Sequence, residues 1–85
     1  MRNTVGDQIR GVLAAHARLA TDVSLLTDES NLYDAGLSSH ASVTVMLALE
    51  EHFHIEFPER MLRRGAFASI AAIRSGLEEL LGAAA

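Results

Sequence analysis

Apolar residues recur at helical spacing in three stretches of the chain, and turn formers crowd the segment between the first two. Val5, Ile9, Val12, Leu13 and Ala20, with His16, share one face of a helix predicted over residues 4–20. Thr4 is placed to cap it, and Asp7, three residues on, suits the positive end of the helix dipole. Residues 21–38 hold Asp22, Ser24, Thr27, Asp28, Ser30, Asn31, Asp34 and Gly36, interleaved with Val23, Leu25, Leu26, Leu32, Tyr33 and Leu37. Loops of this length are uncommon in compact domains and are usually functional or disordered. The interleaved apolar residues predict a loop pinned onto the core, with a short helical turn around residues 28–33.

The clearest helix is predicted over residues 39–53. Ser42, Val43, Met46, Leu49, Glu50 and Phe53 are assigned to its inward side, and His40, Ala41, Thr44, Leu47, Ala48 and Glu51 to its outward side. With Ala41, Leu47 and Ala48, that outward stripe is unusually apolar, as a docking surface is. Pro58 forbids a helix running through it but suits the first turn of a short third helix over residues 58–64, which Gly65 ends. Phe67, Ile70, Ile73, Leu77 and Leu80 form the stripe of a last helix over residues 66–81, after which the alanine tail frays. The pattern predicts one domain over residues 1–85: an all-α bundle of three long helices and one short one, joined by a long first loop.

Composition narrows the function. The chain has 85 residues, is 49% hydrophobic and 21% charged, and carries a net charge of -4, which suits a folded domain and argues against nucleic acid as a partner. There is no cysteine, which excludes disulfides, cysteine zinc sites and a protein-borne thiol. All seven basic side chains are arginine. No secretory h-region and no run of roughly 20 apolar residues is present, so a cytoplasmic protein with no membrane association is expected. The four histidines do not form a metal-binding pattern: His52 and His54, two apart, cannot share a helix face. No metal is expected.

The chemistry concentrates in Leu32-Tyr33-Asp34-Ala35-Gly36-Leu37-Ser38-Ser39-His40. Gly36 permits a tight turn, Leu37 can anchor it, and Ser38 can cap the following helix. Ser39 then lies exposed in the first turn, where free backbone N–H groups favour a phosphate. His40 follows it, but neighbouring helix residues do not face each other, so no base is poised over the serine.

That segment, together with Met46-Leu47-Ala48-Leu49-Glu50-Glu51-His52-Phe53 and Ile55-Glu56-Phe57-Pro58, resembles the acyl and peptidyl carrier protein family over most of the chain. The resemblance implies a four-helix bundle of acyl-carrier type with no catalytic residue of its own. It implies Ser39 as the attachment point for 4′-phosphopantetheine, which a separate phosphopantetheinyl transferase delivers from coenzyme A. The thiol of that group then holds a cargo as a thioester. The loop and second helix become the partner surface, with Leu37, His40, Ala41, Thr44, Leu47, Ala48 and Glu51 as contacts.

Two positions depart from the family: Ser38 stands where Asp is usual, and His40 where Leu is usual. The outward positions near the head of the helix, Ala41 and Thr44, lack the acidic residues of fatty-acid carriers. Residues 21–38 sum to -4 and 39–57 to -3, whereas 58–64 sum to +2. The pattern most resembles stand-alone carriers loaded by amino acid:carrier-protein ligases. This implies a small amino acid as cargo, a loading ligase, an unknown acceptor enzyme and a monomeric carrier.

Other readings stand beside it. The chain could be a fatty-acyl, polyketide or peptide-synthesis carrier, or, in another class, a non-covalent helical interaction domain in which Ser39 is merely a cap. Arg60, Arg63 and Arg64 read either as contacts for an anionic partner or the prosthetic phosphate, or as a solvated helix end. Met46, Phe53, Phe67 and Ile70 read as a cargo cavity or as ordinary core.

Overall fold

The computed structural model describes residues 4–84. They form three α-helices, α1 (Val5–His16), α2 (Ser39–Phe53) and α3 (Ile70–Ala84), with three short 3-10 turns and no strand among the described residues. Thr4 and Asp7 cap α1 reciprocally: the Asp7 N–H donates to Thr4 Oγ1 at 3.1 Å and the Thr4 N–H to Asp7 Oδ2 at 3.4 Å. The helix stops four residues short of expectation. Ala17 caps it, and Arg18 turns the chain away in the left-handed conformation at φ 53°. Ala20 is therefore exposed outside α1, and His16 is exposed rather than part of the apolar face.

The long loop is fastened at both ends and in the middle. The Ala20 N–H donates to the Ala35 carbonyl at 2.9 Å, and the Leu32 N–H to the Ala68 carbonyl at 2.7 Å. Arg10 of α1 donates to the carbonyls of Val23 and Leu26 and to the carboxylate of Asp28, whose other oxygen accepts from Arg74 of α3. The backbone carbonyl of Asp28 also accepts from the Ala71 N–H, a donor that the first turn of α3 leaves unpaired. Residues 28–36 make turns rather than a helix, and the regular turn in the loop is a 3-10 segment at Val23–Leu25, capped by Asp22.

The core joins Ile9, Leu13 and Ala17 from α1, Leu32 and Leu37 from the loop, and Val45 and Leu49 from α2 to Ile70, Ile73 and Leu77 from α3. The buried line on α2 is Ala41, Val45 and Leu49, spaced by four. This rotates the expected inward face: Val43 is 51% exposed, whereas Ala41, expected outside, is 8% exposed. α2 has apolar residues most of the way round, so periodicity alone left its phase undecided. It ends where His54 adopts the left-handed conformation at φ 55°.

In place of the helix expected over residues 58–64 there is a 3-10 turn at Glu59–Met61, and after an extended Arg63 a second one, Arg64–Phe67, takes up the expected start of the last helix. Met61 and Phe67 are both buried, and Phe67 meets Phe57 edge to face at 5.5 Å between ring centroids. A continuous helix from 58 would not set both side chains against the same core, so the backbone breaks between them. Gly65 lies inside the second turn rather than stopping a helix, and Phe67 precedes α3 rather than belonging to it. The Ala72 N–H donates to Ser69 Oγ at 3.0 Å, which caps α3. The helix reaches Ala84, and the last residue of the expected frayed tail lies outside the described residues.

Candidate functional site

Gly36 closes the loop at φ 113°, a conformation that L side chains rarely adopt. A Cβ there would sit 2.8 Å from the backbone nitrogen of Ala20, so the two loop ends approach only through glycine. Leu37 then turns into the core at 4% exposure, which corrects its expected role as a partner contact. It is the anchor that fixes where α2 begins. Ala41, expected on the outward side, is likewise core at 8% exposure.

Ser38 is the N-cap: its Oγ accepts from the Ala41 N–H at 3.0 Å, and its carbonyl accepts from the Ser42 N–H at 2.9 Å. Ser39 is the first helical residue and exposed. The N–H groups of Ser39 and His40 have no acceptor within the helix, as at any helix start, and carry the positive end of its dipole. The two adjacent serines thus divide the work. Ser38 holds the helix end together, and Ser39 is left free at its tip.

Two depressions flank Ser39. The groove on one side, of about 470 Å³, has Phe67 and Met46 at depth and the exposed Val43 and Leu62 at its edges. Ser39, Ser42, Tyr33, Arg63 and Arg64 supply its polar lining. The Tyr33 hydroxyl donates to the Arg64 carbonyl at 2.8 Å, and the Arg64 guanidinium lies 3.7 Å from the Tyr33 ring centroid. Ser42 Oγ donates to the Ser39 carbonyl at 2.7 Å. The cleft on the other side is lined by His16, Arg18, His40 and Thr44, among others. His40 thus turns away from the groove, toward α1. In a chain of net charge -4, the head of α2 has arginines on both sides.

Of the expected contacts, His40, Leu47 and Glu51 are exposed on α2, and Thr44 and Ala48 are half-buried. Reading the sequence missed Val43, Leu62 and Tyr33 beside Ser39. Leu62 carried a signal, as an apolar residue between Arg60 and Arg63, and it is 50% exposed. Glu50 serves structure, accepting from the Phe57 N–H at 2.9 Å. The carboxyls of Asp28 and Asp22 lie below the usual carboxylate range. Asp28 is lowered first by its hydrogen bond from Arg10 and then by that from Arg74, and Asp22 by the Ser24 backbone N–H. Among the described residues no three His, Asp or Glu side chains are grouped to hold a metal ion. No helix of the described residues is long and apolar enough to cross a membrane.

An exposed serine hydroxyl at a helix N-terminus, with unpaired N–H groups beside it and guanidinium groups along the adjoining groove, is a fitting seat for a phosphodiester. Residues 7–74 match the family described as the phosphopantetheine attachment site. An aminoacyl carrier protein of Agrobacterium fabrum is 51% identical over 73 residues, covering 86% of this chain and 88% of that protein. A carrier protein from Agrobacterium tumefaciens, crystallised with an engineered Bradyrhizobium japonicum glycine:[carrier protein] ligase and ATP, is similar in structure. Its TM-score is 0.88 at 47% identity, over 91% of this chain and all of that one. The same pairing with AMP gives a TM-score of 0.85 at 49% identity, over 87% of this chain and 99% of that one. Carriers of this kind bear a phosphopantetheine group and are not catalysts themselves. From residue 7 to residue 74, the match covers the loop, the two adjacent serines and the groove, and the chain belongs to the phosphopantetheine attachment site family of carrier proteins.

Proposed function

We propose that Ser39 carries 4′-phosphopantetheine and that the protein bears a small amino acid between a loading ligase and an acceptor enzyme. The observation that carries the reading is the position of Ser39: it is exposed at the tip of α2, behind a loop locked by Gly36 and Leu37, while Ser38 is committed to capping. The prosthetic group supplies the thiol that the chain lacks and holds the cargo as a thioester. The chain's own part is positional. The loop presents the Ser39 hydroxyl to a phosphopantetheinyl transferase, which brings its own base, and the α2 N–H groups with Arg63 and Arg64 lie where the new phosphodiester needs counter-charge.

The loading partner is an ATP-dependent amino acid:carrier-protein ligase, in keeping with the ATP and AMP bound beside the carriers similar to this chain. Its landing surface is the outward side of α2, with the exposed His40, Val43, Leu47 and Glu51 and the half-buried Thr44 and Ala48. Residues 39–49 of α2 itself carry no Asp, Glu, Arg or Lys, so recognition by this helix face relies on shape and apolar burial more than on charge steering. The carrier works in the cytoplasm, where coenzyme A and ATP are supplied.

Co-expression with a broad-specificity transferase, followed by intact mass, tests the attachment. The mass should rise by one phosphopantetheine, and Ser39→Ala should abolish the rise. A rise that persists in Ser39→Ala, or no rise in the parent, defeats the reading and favours a non-covalent helical domain. Offering the holo protein to adenylating ligases with amino acids or with fatty acids then separates aminoacyl from fatty-acyl carriage.

A further inference from the structure

We infer that the groove beside Ser39 is a nucleophile-free berth, in which Arg63 and Arg64 supply positive charge that lysine could not supply without destroying a tethered thioester. The inference rests on Ser39 as the attachment point. The polar side chains that line the groove are Tyr33, Ser39, Ser42, Arg63 and Arg64, and the rest are apolar. Ser39 is consumed by attachment. The other two hydroxyls each donate to a backbone carbonyl, Ser42 to Ser39 at 2.7 Å and Tyr33 to Arg64 at 2.8 Å. No carboxylate, imidazole or amine stands among the described residues lining the groove to activate them. The imidazoles of His16 and His40 line the cleft on the opposite side of the α2 head.

The two cations are guanidinium groups, whose delocalised nitrogens offer no free lone pair for attack. A lysine at the same place keeps the charge but equilibrates with a neutral amine. That amine nitrogen attacks the thioester carbonyl, a C–N bond replaces the C–S bond, and the proton lost by nitrogen leaves with the sulfur as a thiol. The cargo would then be locked onto the protein as an amide. The chain encodes seven arginines and no lysine.

The test installs acetyl-phosphopantetheine directly, with a transferase and acetyl-coenzyme A, so no ligase is needed. Intact mass is followed at pH 9, before and after hydroxylamine, which cleaves thioesters and spares amides. In the parent and in Arg63→Gln, hydroxylamine should remove all of the acetyl mass at every time. In Arg63→Lys and Arg64→Lys a hydroxylamine-resistant acetyl should build up beside a free pantetheine thiol, and the thioester half-life should fall roughly tenfold, because the tethered amine reacts intramolecularly. Arg60→Lys should behave as the parent, since Arg60 pairs with Glu79 at 3.1 Å and is not among the residues that line the groove beside Ser39. Parent-like half-lives in both Arg63→Lys and Arg64→Lys, or equal loss in Arg60→Lys, overturn the inference while leaving Ser39 attachment intact. Failure of the parent to take up the acetyl-arm is instead a failure of the attachment reading.

Discussion

Tyr33 and Arg64 hold each other twice. The phenol donates to the arginine's backbone carbonyl at 2.8 Å, and the guanidinium returns over the phenol ring at 3.7 Å. The pair ties the loop that precedes Ser39 to the 3-10 turns that form the far wall of its groove. Tyr33→Phe deletes only the hydrogen bond and should cost about 0.5–1.5 kcal/mol. Tyr33→Ala also removes the ring under the cation and should cost more. Urea unfolding of the two variants measures the difference; equal losses would show that the cation–ring contact contributes nothing.

Gly36 tests how tightly the loop is closed. Gly36→Ala forces a Cβ into a left-handed position and toward the Ala20 nitrogen at 2.8 Å. A loss of roughly 1–3 kcal/mol is expected. Transfer of phosphopantetheine to the folded fraction should also slow, because the loop sets where Ser39 stands. Chemical denaturation and a timed mass assay read the two effects separately.

The neighbouring serines should part cleanly. Ser38→Ala removes the cap on the Ala41 N–H and should cost about 1 kcal/mol while leaving phosphopantetheine uptake intact. Ser39→Ala should change stability by less than about 0.5 kcal/mol, as exposed substitutions usually do, and abolish uptake. The reverse assignment of losses would move the attachment point to Ser38.

Asp28 joins Arg10 and Arg74 across two helices, and its carboxyl is held below the ordinary value near 4. A carboxyl lowered in the folded state stabilises it fully above its unfolded value, and that contribution is lost as pH falls through the folded-state value. Thermal melts between pH 6 and pH 2 should show the parent losing stability more steeply than Asp28→Asn, with the two converging in acid. Asp22, lowered in the same direction by the Ser24 N–H, leaves a smaller acid-sensitive part in the variant. Parallel curves would mean that the two arginines do not hold Asp28.

Leu47 is 54% exposed on the side of α2 proposed to meet the ligase. Leu47→Glu should leave stability within about 0.5 kcal/mol and weaken loading by roughly tenfold in kcat/KM, the loss expected when one apolar anchor is removed from an interface. Phosphopantetheine uptake by a small transferase serves as the control for folding. Unchanged loading would move the landing surface elsewhere.

The helical class, the span of α2 and the place of Ser39 at its head are legible along the chain, because they rest on local chemistry. The Gly36-Leu37-Ser38-Ser39 run encodes turn, anchor, cap and free hydroxyl within four residues. The pinning of residues 21–38 was legible too, in apolar residues spaced through turn formers. Tertiary structure decided what depends on partners distant in the chain. Arg18 ends α1 early in a left-handed conformation that no glycine announces, held as Ala20 pairs with Ala35. Met61 and Phe67 both pack into one core, and a 3-10 turn at each stands where the short third helix over 58–64 and the start of the last helix were expected. The rotation of α2, apolar most of the way round, was set only by what it packs against, and with it the burial of Ala41 and the exposure of Val43. The groove itself was out of reach of sequence, since the residues that frame it, Tyr33 and Arg64, meet across 31 positions of chain.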